Sequence, residues 1–516
     1  MYALVWSPVR RTISRSALRT CSTVTDVKNV LQGTGKGLVL GYYESSNGYE
    51  FTTSAKQFNE DCQGNLERLL KLSGNKLKKG DSRIFYDLHK DYPAVSIVCV
   101  GPKDESNEME CINMSKESIR QAAAVGVKSL KAIGATDVDV EDFGDSEAAA
   151  EGSTLVLHDN DQYRSDKSLH PKLLLKSSSS QVDQNWECGS VVASAQNFAR
   201  ELMEMPCNYL TPAKFVEIMS EKLSPFSNNM NFTGRPYSWI KDMKMGAFVG
   251  VAKGSVEEPY LLEMKYSGGS DSNNNIVLVG KGVTFDTGGI SIKPAANMGL
   301  MKGDMGGAAV VCATMMAIAD LKLPINVVGL TPLCENMPSG NAYKPGDVVT
   351  AMNGTTIEVD NTDAEGRLIL ADTLCYSQSF NPSLIIDLAT LTGAIDVALG
   401  NGAAAVFTNS NDLWNDLEEA GRLTGDRLWR MPLFAQYRKQ MKSDIADINN
   451  IGTRDRSAGS CTAASFLKEF VGTNKWAHLD IAGVMQARGE VPYLGNGMSG
   501  RPTRTIIQYL KTASQK

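Results

Sequence analysis

The residues of this chain best suited to chemistry lie in one octapeptide, residues 361–368. Asp363 and Glu365 are two positions apart, and in an extended segment this spacing places both carboxylates on the same side of the backbone. Gly366 permits a tight turn or a close approach to a ligand, and Arg367 adds a permanent cation with a planar fork of donors. Apolar residues at helical spacing follow, so the octapeptide predicts a strand end or loop that enters a helix. Taken alone, it is equally compatible with a solvated turn carrying a surface salt bridge.

A second segment, residues 276–289, begins as a short apolar run and ends in glycines, which is typical of a buried strand and the turn after it. Lys281 and Asp286 lie just past this run, and Lys293 and Asp304 follow. In open α/β sheets, ligands bind beyond the carboxyl ends of the strands, and both segments have the character of such ends. The candidate site therefore contains seven charged residues: Lys281, Asp286, Lys293, Asp304, Asp363, Glu365 and Arg367.

The four carboxylates of this set require positive charge, because converging carboxylates repel one another and raise one another's pKa values. Two divalent ions supply four positive charges, which balances the four acids. Neither segment contains histidine or cysteine. A donor set rich in oxygen suits manganese, magnesium or zinc, and composition alone does not choose among them.

These two segments, together with residues 476–483, closely resemble the leucine aminopeptidase family of two-metal exopeptidases, also called cytosol aminopeptidases. The resemblance extends from about residue 191 to residue 510 and is weaker before that, and the octapeptide corresponds to the family signature. It implies an α/β fold with a small N-terminal α/β domain. A larger catalytic α/β domain would follow, with a mostly parallel sheet covered by helices on both faces. It also implies a homohexamer of two stacked trimers, with the catalytic domains at the centre.

The resemblance assigns five residues as metal ligands. Asp286 and Glu365 would bridge both ions, Asp363 would complete one site, and Lys281 and Asp304 would complete the other. The family uses zinc, with manganese or magnesium able to exchange into one site. A lysine ligand must be neutral although its free pKa is ~10.4, and coordination to a dication favours the neutral amine.

The resemblance also assigns catalytic and substrate-binding roles. Lys293 would stay protonated and stabilise the developing oxyanion, and Arg367 would hold a bicarbonate that takes the proton of the attacking water. One departure from the family is Gly299, which replaces an acid and leaves the rigidity of the surrounding loop in question. The side-chain pocket, apolar or small and suited to a leucine-like first residue, carries over to Met301, Asn361, Ala364, Thr390, Gly393, Ala482 and Met485.

The leading functional hypothesis is an aminopeptidase that releases leucine-like or other apolar first residues from peptides. One alternative with the same chemistry is a dipeptidase that favours Cys-Gly substrates. Another is an abundant structural or packing protein of mitochondria, as for some insect relatives of sperm type with eroded metal ligands. All seven charged positions are intact here, which favours an enzyme.

Composition sets the broad class. A chain of 516 residues exceeds one ordinary core and predicts two domains, and 42% hydrophobic with 21% charged residues is typical of a globular protein. The net charge of −6 shows no basic excess that would indicate nucleic acid as a partner, although DNA binding is known for bacterial family members. No apolar run is long enough to span a membrane. Ten scattered cysteines without a CxxC pair predict reduced thiols rather than a disulfide framework.

The first 25 residues differ from the rest of the chain. They are rich in arginine and serine, and no acid precedes Asp26. This composition predicts a mitochondrial transit peptide over residues 1–25 and a mature chain beginning near residues 20–30. The predicted location is the mitochondrial matrix, with the cytoplasm as second choice.

The remaining patterns predict an N-terminal α/β domain over residues 30–181, a linking helix region over 182–205 and a catalytic domain over 206–516. In the first domain we predict strands at 37–43 and 94–100 and a helix at 117–133. The linking helix is predicted at 191–205. The catalytic domain has predicted helices at 307–321 and 368–379, and predicted strands at 247–251, 260–266, 276–280, 325–330, 384–388, 404–407 and 478–481.

Overall fold

The computed structural model describes residues 35–515 except residues 47, 75, 177–182, 271–274 and 453–456. The predicted transit peptide lies outside the described residues. Nine cysteines are described, and none of these nine is in a disulfide. Within the same residues, no helix combines the length and apolar character needed to cross a membrane.

The N-terminal region is built on one sheet with helices packed against it. Its strands are β1 (Lys36–Ser45), β2 (Gly48–Phe51), β3 (Ser82–His89), β4 (Tyr92–Pro102), β5 (Asp137–Val140) and β6 (Lys172–Leu175). Its helices are α1 (Thr53–Asp61), α2 (Asn65–Leu72), α3 (Met114–Ala132) and α4 (Ser146–Leu155). The strand order is β3–β4–β1–β5–β6, with β2 on β1, and β4, β1, β5 and β6 are parallel. The strands predicted at 37–43 and 94–100 and the helix predicted at 117–133 are confirmed.

A long helix, α5 (Gln184–Glu204), leads from the N-terminal region into the catalytic region. It begins seven residues before the predicted start at residue 191. Asp183 caps it, because its side chain accepts hydrogen bonds from the backbone N–H groups of Asn185 and Trp186. The sequence prediction missed this first part because Gly189 lowers helix propensity there.

The catalytic region contains a large sheet and two small ones. Its strands are β7 (Met230–Arg235), β8 (Tyr260–Ser267), β9 (Asn275–Gly280), β10 (Gly282–Asp286), β11 (Asn326–Asn336), β12 (Asp347–Thr350), β13 (Thr356–Val359), β14 (Pro382–Ala389), β15 (Ala404–Thr408), β16 (Leu428–Arg430), β17 (Ile448–Asn449), β18 (Trp476–Asp480), β19 (Gln486–Arg488) and β20 (Asn496–Met498). Its helices are α6 (Pro212–Leu223), α7 (Tyr237–Asp242), α8 (Gly246–Ala252), α9 (Gly306–Asp320), α10 (Glu365–Ser377), α11 (Gly393–Leu399), α12 (Asn411–Thr424), α13 (Ala435–Lys439), α14 (Gly459–Leu467) and α15 (Thr503–Ala513).

The large sheet has the order β16–β15–β18–β14–β9–β11–β8–β7, with β10 paired to β11. Its centre, β18–β14–β9–β11, is parallel, whereas β8, β7 and β15 join in antiparallel orientation. Because side chains alternate along a strand, Leu278 packs in a core with α9 and α5, and Val277 packs in the opposite core with α10 and α8. The predicted α/β fold, with a mostly parallel sheet covered on both faces, is confirmed.

One predicted strand, at residues 247–251, is wrong: this segment is helix α8. Ala247, Phe248 and Val251 are buried in the core that α8 shares with α10. A short apolar run in a buried environment does not distinguish a helix from a strand by periodicity. Tertiary packing decided the conformation here, and this region does not carry the candidate site.

Candidate active site

Lys281 and Asp286 lie at the carboxyl end of the central parallel strands. Lys281 stands between β9 and β10, and its backbone N–H donates to the carbonyl of Leu388 at 2.9 Å. Its carbonyl accepts from Ala308 in α9 at 2.8 Å, so the residue is fixed between a strand and a helix. Asp286 is the last residue of β10. Both side chains are buried, as expected for groups held beyond a parallel strand end.

Asp304 reaches the same place from the segment before α9. It follows a short 3-10 helix, Met298–Gly303, and is 5% exposed. Its Oδ1 accepts a hydrogen bond from the Thr390 hydroxyl at 2.8 Å, and its Oδ2 lies 2.7 Å from Lys281 Nζ. Thr390 also accepts from Lys281 Nζ through its carbonyl at 2.9 Å. Thr390 therefore positions both charged partners.

The octapeptide places Asp363 in a turn and Glu365 at the start of a helix. Asp363 lies in a turn, where its backbone N–H donates to the Asn361 side chain at 2.8 Å, and Glu365 is the first residue of α10. The two carboxylates thus converge through a turn and a helix start. The predicted loop that enters a helix is confirmed, but the helix begins at Glu365 and not at residue 368. Asparagine side chains favour such turns, and the N-terminus of a helix favours an acidic residue.

Gly366 explains how a lysine approaches this helix so closely. A Cβ at position 366 would lie 2.6 Å from Lys281 Cε and 2.8 Å from its Nζ. Any side chain there would displace the lysine from the acidic cluster. The close approach predicted for this glycine is therefore made by Lys281.

The six residues Lys281, Asp286, Lys293, Asp304, Asp363 and Glu365 form one connected cluster. Ligand oxygens of Asp286, Asp363 and Glu365 lie within 4.8 Å of one another. Lys281 Nζ is 2.8 Å from Glu365 Oε1, and Lys293 Nζ is 2.7 Å from Asp286 Oδ2 and also contacts Asp363 Oδ1. Two of these ion pairs, Lys281–Glu365 and Lys293–Asp363, join chain segments about 80 residues apart.

The electrostatics of this cluster indicate a shortage of positive charge. Burial, followed by the charges of Glu365 and Asp304, raises the pKa of Asp286 to about 8. Burial also raises the pKa of Asp304 to about 6, despite the opposing effect of Lys281. Burial raises the pKa of Asp363 as well, and Glu365 adds to this effect. Four carboxylates against two ammonium groups leave a net charge of −2 when all are ionised.

The chemistry of the donors fits divalent cations. Carboxylate oxygens and an uncharged amine are suitable ligands for zinc, manganese or magnesium, and a bound cation would remove the repulsion that raises these pKa values. For Lys281, burial lowers the pKa, but Asp304 and Glu365 outweigh it, so the pKa is raised while no cation is present. A dication among these oxygens would reverse that balance. The cluster therefore has the donors and the charge deficit that a metal centre requires.

Arg367 lies beside the cluster rather than within it. It is 7% exposed, and its Nη1 donates to the carbonyl of Asn450 at 2.7 Å. Its Nε has no hydrogen-bond partner among the residues described. Burial lowers the pKa of Arg367 to about 10, although Glu365 and Asp480 oppose this, so the guanidinium remains protonated at neutral pH. A buried cation with a spare donor is suited to a small anion.

Two adjacent cavities meet at the cluster. One has a volume of about 760 Å³ and is lined by the predicted residues Asn361, Ala364 and Gly393 together with Lys293 and Arg367. The other has a volume of about 500 Å³, reaches the acidic cluster, and is lined by the predicted residues Met301, Thr390, Gly393, Ala482 and Met485. The predicted substrate-binding residues are thus divided between two cavities that share Gly393.

The loop that carries Met301 is held by contacts that do not involve Gly299. A Cβ at position 299 would meet nothing within 4 Å. Lys302 instead donates from Nζ to the carbonyl of Glu204 at 2.7 Å and to its carboxylate at 3.0 Å. Glu204 ends α5, so the linking helix anchors this loop.

Two residues that organise the site, Asn336 and Asp480, were not among the predicted site residues. Asn336, the last residue of β11, donates from Nδ2 to Asp286 at 2.8 Å and to the carbonyl of Thr362 at 3.0 Å. Asp480, the last residue of β18, accepts from the Thr392 hydroxyl at 2.6 Å and from the backbone N–H groups of Leu391 and Thr392. Both lie at strand ends on the same edge of the sheet, so the strand-end rule applied to every strand would have found them.

The fold and the site together define a metal-dependent hydrolase with two α/β domains. Residues 39–167 match the description "Cytosol aminopeptidase family, N-terminal domain", and residues 197–507 match "Cytosol aminopeptidase family, catalytic domain". The chain belongs to the cytosol aminopeptidase family. This membership confirms the predicted resemblance and the predicted class, a metal-dependent aminopeptidase, and favours neither the dipeptidase nor the packing protein.

Similar proteins cover almost the whole chain. The cytosol aminopeptidases of Bos taurus and Homo sapiens are 53% and 52% identical over 486 residues, which is 93% of this chain and of each relative. Among solved structures, the bottromycin maturation enzyme BotP in complex with Mn has a TM-score of 0.79 at 30% identity, covering 93% of this chain and 99% of that one. A mutant of tomato leucine aminopeptidase has the same TM-score and identity over 92% and 93%. The family and the acidic cluster support divalent metal binding by this chain.

Proposed function

We propose that this protein removes leucine-like and other apolar first residues from peptides, with two divalent ions held by the acidic cluster. The observation that carries the proposal is the convergence of Asp286, Asp363 and Glu365 oxygens within 4.8 Å, with Asp304 and Lys281 in ion-pair contact beside them. These are the five residues that the family resemblance assigns as ligands.

Asp286 and Glu365 would contact both ions, Asp363 would complete one site, and Lys281 with Asp304 would complete the other. Zinc is the proposed resident metal, with manganese or magnesium as possible occupants. When bound, such a pair of ions supplies Lewis acidity that activates water and polarises the scissile carbonyl. Asn336 keeps the Asp286 carboxylate oriented, because its amide donates to one carboxylate oxygen.

The two lysines have different proposed roles because their surroundings differ. The Lys281 side chain is 3% exposed and is enclosed by Asp304, Glu365 and the Thr390 carbonyl. The Lys293 side chain is 20% exposed and lines both cavities. Lys281 would be the neutral ligand, and Lys293 would remain an ammonium group that donates to the oxyanion forming on the substrate.

Arg367 would hold a bicarbonate, which would supply a general base next to the scissile bond. The unpartnered Nε and the buried, protonated guanidinium support this role. Among the residues that the structure describes, no histidine lines either cavity. The guanidinium fork matches the planar geometry of the anion and would keep it in place by paired hydrogen bonds.

Substrate selection would follow from the smaller cavity. The free α-amino group of the peptide would approach Asp304, which fixes cleavage at the first residue, and the first side chain would lie against Met301 and Met485. Thioether side chains adapt to apolar groups of different shape. The larger cavity, with Asn361 and Ala364, would then receive the residues after the scissile bond.

Self-association to a homohexamer and a mitochondrial matrix location are further parts of the proposal. The hexamer rests on the family resemblance alone. Light scattering that finds a stable, active monomer would refute the hexamer. N-terminal sequencing of native protein that finds Met1 at the start, with cytosolic fractionation, would refute the matrix location.

The decisive experiment measures leucine-amide hydrolysis after chelation and after readdition of zinc or manganese. We expect chelation to abolish activity and either metal to restore it. Leucine and Cys-Gly substrates are compared in the same preparation, and a faster rate on Cys-Gly would support the dipeptidase instead. Full activity in demetallated protein, verified by elemental analysis, would refute the metal mechanism.

A further inference from the structure

The cavity that carries Met301 and Met485 extends from the acidic cluster to the surface, so a leucine side chain would fill only part of it. Its volume of about 500 Å³ is within the range of ~300–1,000 Å³ found for pockets that enclose whole small ligands. Its lining changes along its length. The methionines are half-buried near the acidic cluster, whereas Asn297, Asp396 and Arg488 are exposed at the opening. The first-residue pocket therefore continues outward into a polar rim.

Strand β19 brings Arg488 to this rim. Ala487 is buried in a core cluster, whereas Gln486 and Arg488 both line the cavity. Alternation along a strand places residues 486 and 488 on the same face, opposite Ala487. Met485 immediately precedes β19, so part of the apolar wall and its polar continuation are adjacent in the chain.

Glu490 binds the rim residues Asn401 and Arg488, but it contacts the backbone of Arg488 and not the guanidinium. Glu490 Oε1 accepts a hydrogen bond from Asn401 Nδ2 at 2.8 Å, and its Oε2 accepts from the backbone N–H of Arg488. This carboxylate thereby joins the β19 turn to the wall that contains Asn401. In the described part of the chain, the Arg488 guanidinium has no ion pair with Glu490, Asp396 or any other acid. An arginine fork without an internal acid is free to bind one from a ligand.

We propose that Arg488 is a specificity-determining residue that binds the carboxylate of a glutamate at the first position of the substrate. This inference rests on the proposed aminopeptidase function and extends its substrate class beyond apolar residues. The methylene groups of the glutamate would lie along Met301 and Met485. Its carboxylate would reach the rim, where the guanidinium donates to it and Asn401 and Gln486 offer further polar contacts. Asp396 is the opposing acid on this rim, and it would favour a cationic side chain instead.

The test compares kcat/KM for glutamate, leucine and lysine p-nitroanilides in the metal-loaded enzyme. The variant Arg488→Met removes the charge and keeps most of the side-chain length. We expect the ratio of the glutamate to the leucine value to fall about tenfold, which is the effect of losing one hydrogen bond to a charged group. Arg488→Glu should lower this ratio further and raise the ratio of lysine to leucine.

The matched control is Arg68→Met, which replaces an exposed arginine in α2 of the N-terminal region. It should leave both ratios unchanged. A glutamate-to-leucine ratio that is the same in Arg488→Met and wild type would overturn the role of Arg488 while leaving the aminopeptidase function intact. A wild-type preference for lysine over glutamate that Asp396→Asn removes would also overturn it. A wild-type enzyme inactive on leucine substrates would refute the proposed function itself.

Discussion

Two buried charge clusters in this molecule differ in the balance of acidic and basic groups. At the junction of the two regions, Glu151 contacts Arg120 and lies 2.9 Å from Arg504, while Glu117 lies 3.5 Å from Arg120. Two acids and two arginines thus balance one another with all four side chains buried. In the active site, four buried or half-buried carboxylates face only two lysines.

The pKa values record this difference. Burial raises the pKa of Glu151, but Arg120 and Arg504 outweigh it, so the pKa is lowered overall. Burial and neighbouring acids raise the pKa of Asp286 to about 8, and its two lysine neighbours do not compensate. A cluster with equal numbers of acidic and basic groups neutralises its own charge. A cluster with excess carboxylates needs additional cations to neutralise it. The deficit of the second cluster is what identifies it as a functional site.

The largest expected effect comes from Asp363→Asn. This change keeps the shape of the side chain but removes one negative charge from the proposed metal ligands. We expect loss of bound metal and loss of activity larger than the ~10²–10³ expected for a single oxyanion donor. Elemental mass spectrometry and leucine-amide kinetics on the same preparation measure both. Normal metal content in an inactive variant would show that Asp363 is not a ligand.

The balanced cluster should respond in stability rather than in metal content. Glu151→Gln leaves two buried arginines without their shared acid, so the free energy of unfolding should fall by about 3–5 kcal/mol. Chemical denaturation measures this loss. Glu419→Gln, which removes the exposed partner of Arg422, is the control and should cost less than about 1 kcal/mol. Equal losses in the two variants would contradict the importance of the junction cluster.

Lys293→Ala separates catalysis from metal binding. Removal of the ammonium group should lower kcat by about 10²–10³ and leave the metal content near normal. Lys281→Ala is the matched variant, and it should lose metal as well as activity. If Lys293→Ala loses metal and Lys281→Ala retains it, the roles of the two lysines are reversed.

The active-site cluster could be predicted from the sequence because its charged residues lie at two recognisable strand-to-loop transitions. The glycines and acids of residues 276–289 and 361–368 predicted which residues meet. Asn336 and Asp480 also lie at strand ends, but their hydrogen-bond partners depend on which strands become neighbours in the sheet, and no local pattern indicates this. The helix after the octapeptide begins three residues before the predicted start at residue 368, because the apolar periodicity that predicts it does not include Glu365, Gly366 and Arg367.

Other parts of the fold could not be predicted because their conformation depends on capping or on tertiary contacts. Residues 247–251 are apolar enough for a strand, and only their packing against α10 makes them the helix α8. The start of α5 at Gln184 depends on the cap by Asp183 rather than on apolar periodicity. The pairing of Glu151 with Arg504 joins residues 353 positions apart, which no local pattern indicates.

The pH dependence of stability should also distinguish the clusters. The pKa of Asp286 is about 8 in the folded metal-free protein and ~3.9 when unfolded. Between these values the folded state binds more protons, so the free energy of unfolding falls as pH rises, by at most about 1.4 kcal/mol per pH unit. The Tm of metal-free protein should therefore decrease from pH 6 to pH 8. Asp286→Asn should flatten this slope, and an identical slope in the variant would contradict the assignment.

The smallest expected effect concerns Arg367. Arg367→Ala should lower kcat/KM by about tenfold, because water can partly replace the held anion, and metal content should not change. Arg367→Lys, which keeps the charge but not the fork, should be intermediate. Kinetics with and without added bicarbonate measure the effect. A loss larger than that of Lys293→Ala would show that Arg367 has a more direct role than holding an anion.

The central claim is that the unbalanced cluster is a centre for two metal ions, and metal stoichiometry tests it most directly. One divalent ion with both lysines protonated gives the four carboxylates a net charge of zero. Two ions with Lys281 neutral and Lys293 protonated give +1, which one bound anion would neutralise. Elemental mass spectrometry of the fully active wild-type enzyme, after removal of loosely bound metal, distinguishes these states. We predict two divalent ions per chain. A fully active enzyme that holds one ion or none would contradict the dinuclear centre and the neutral Lys281 ligand.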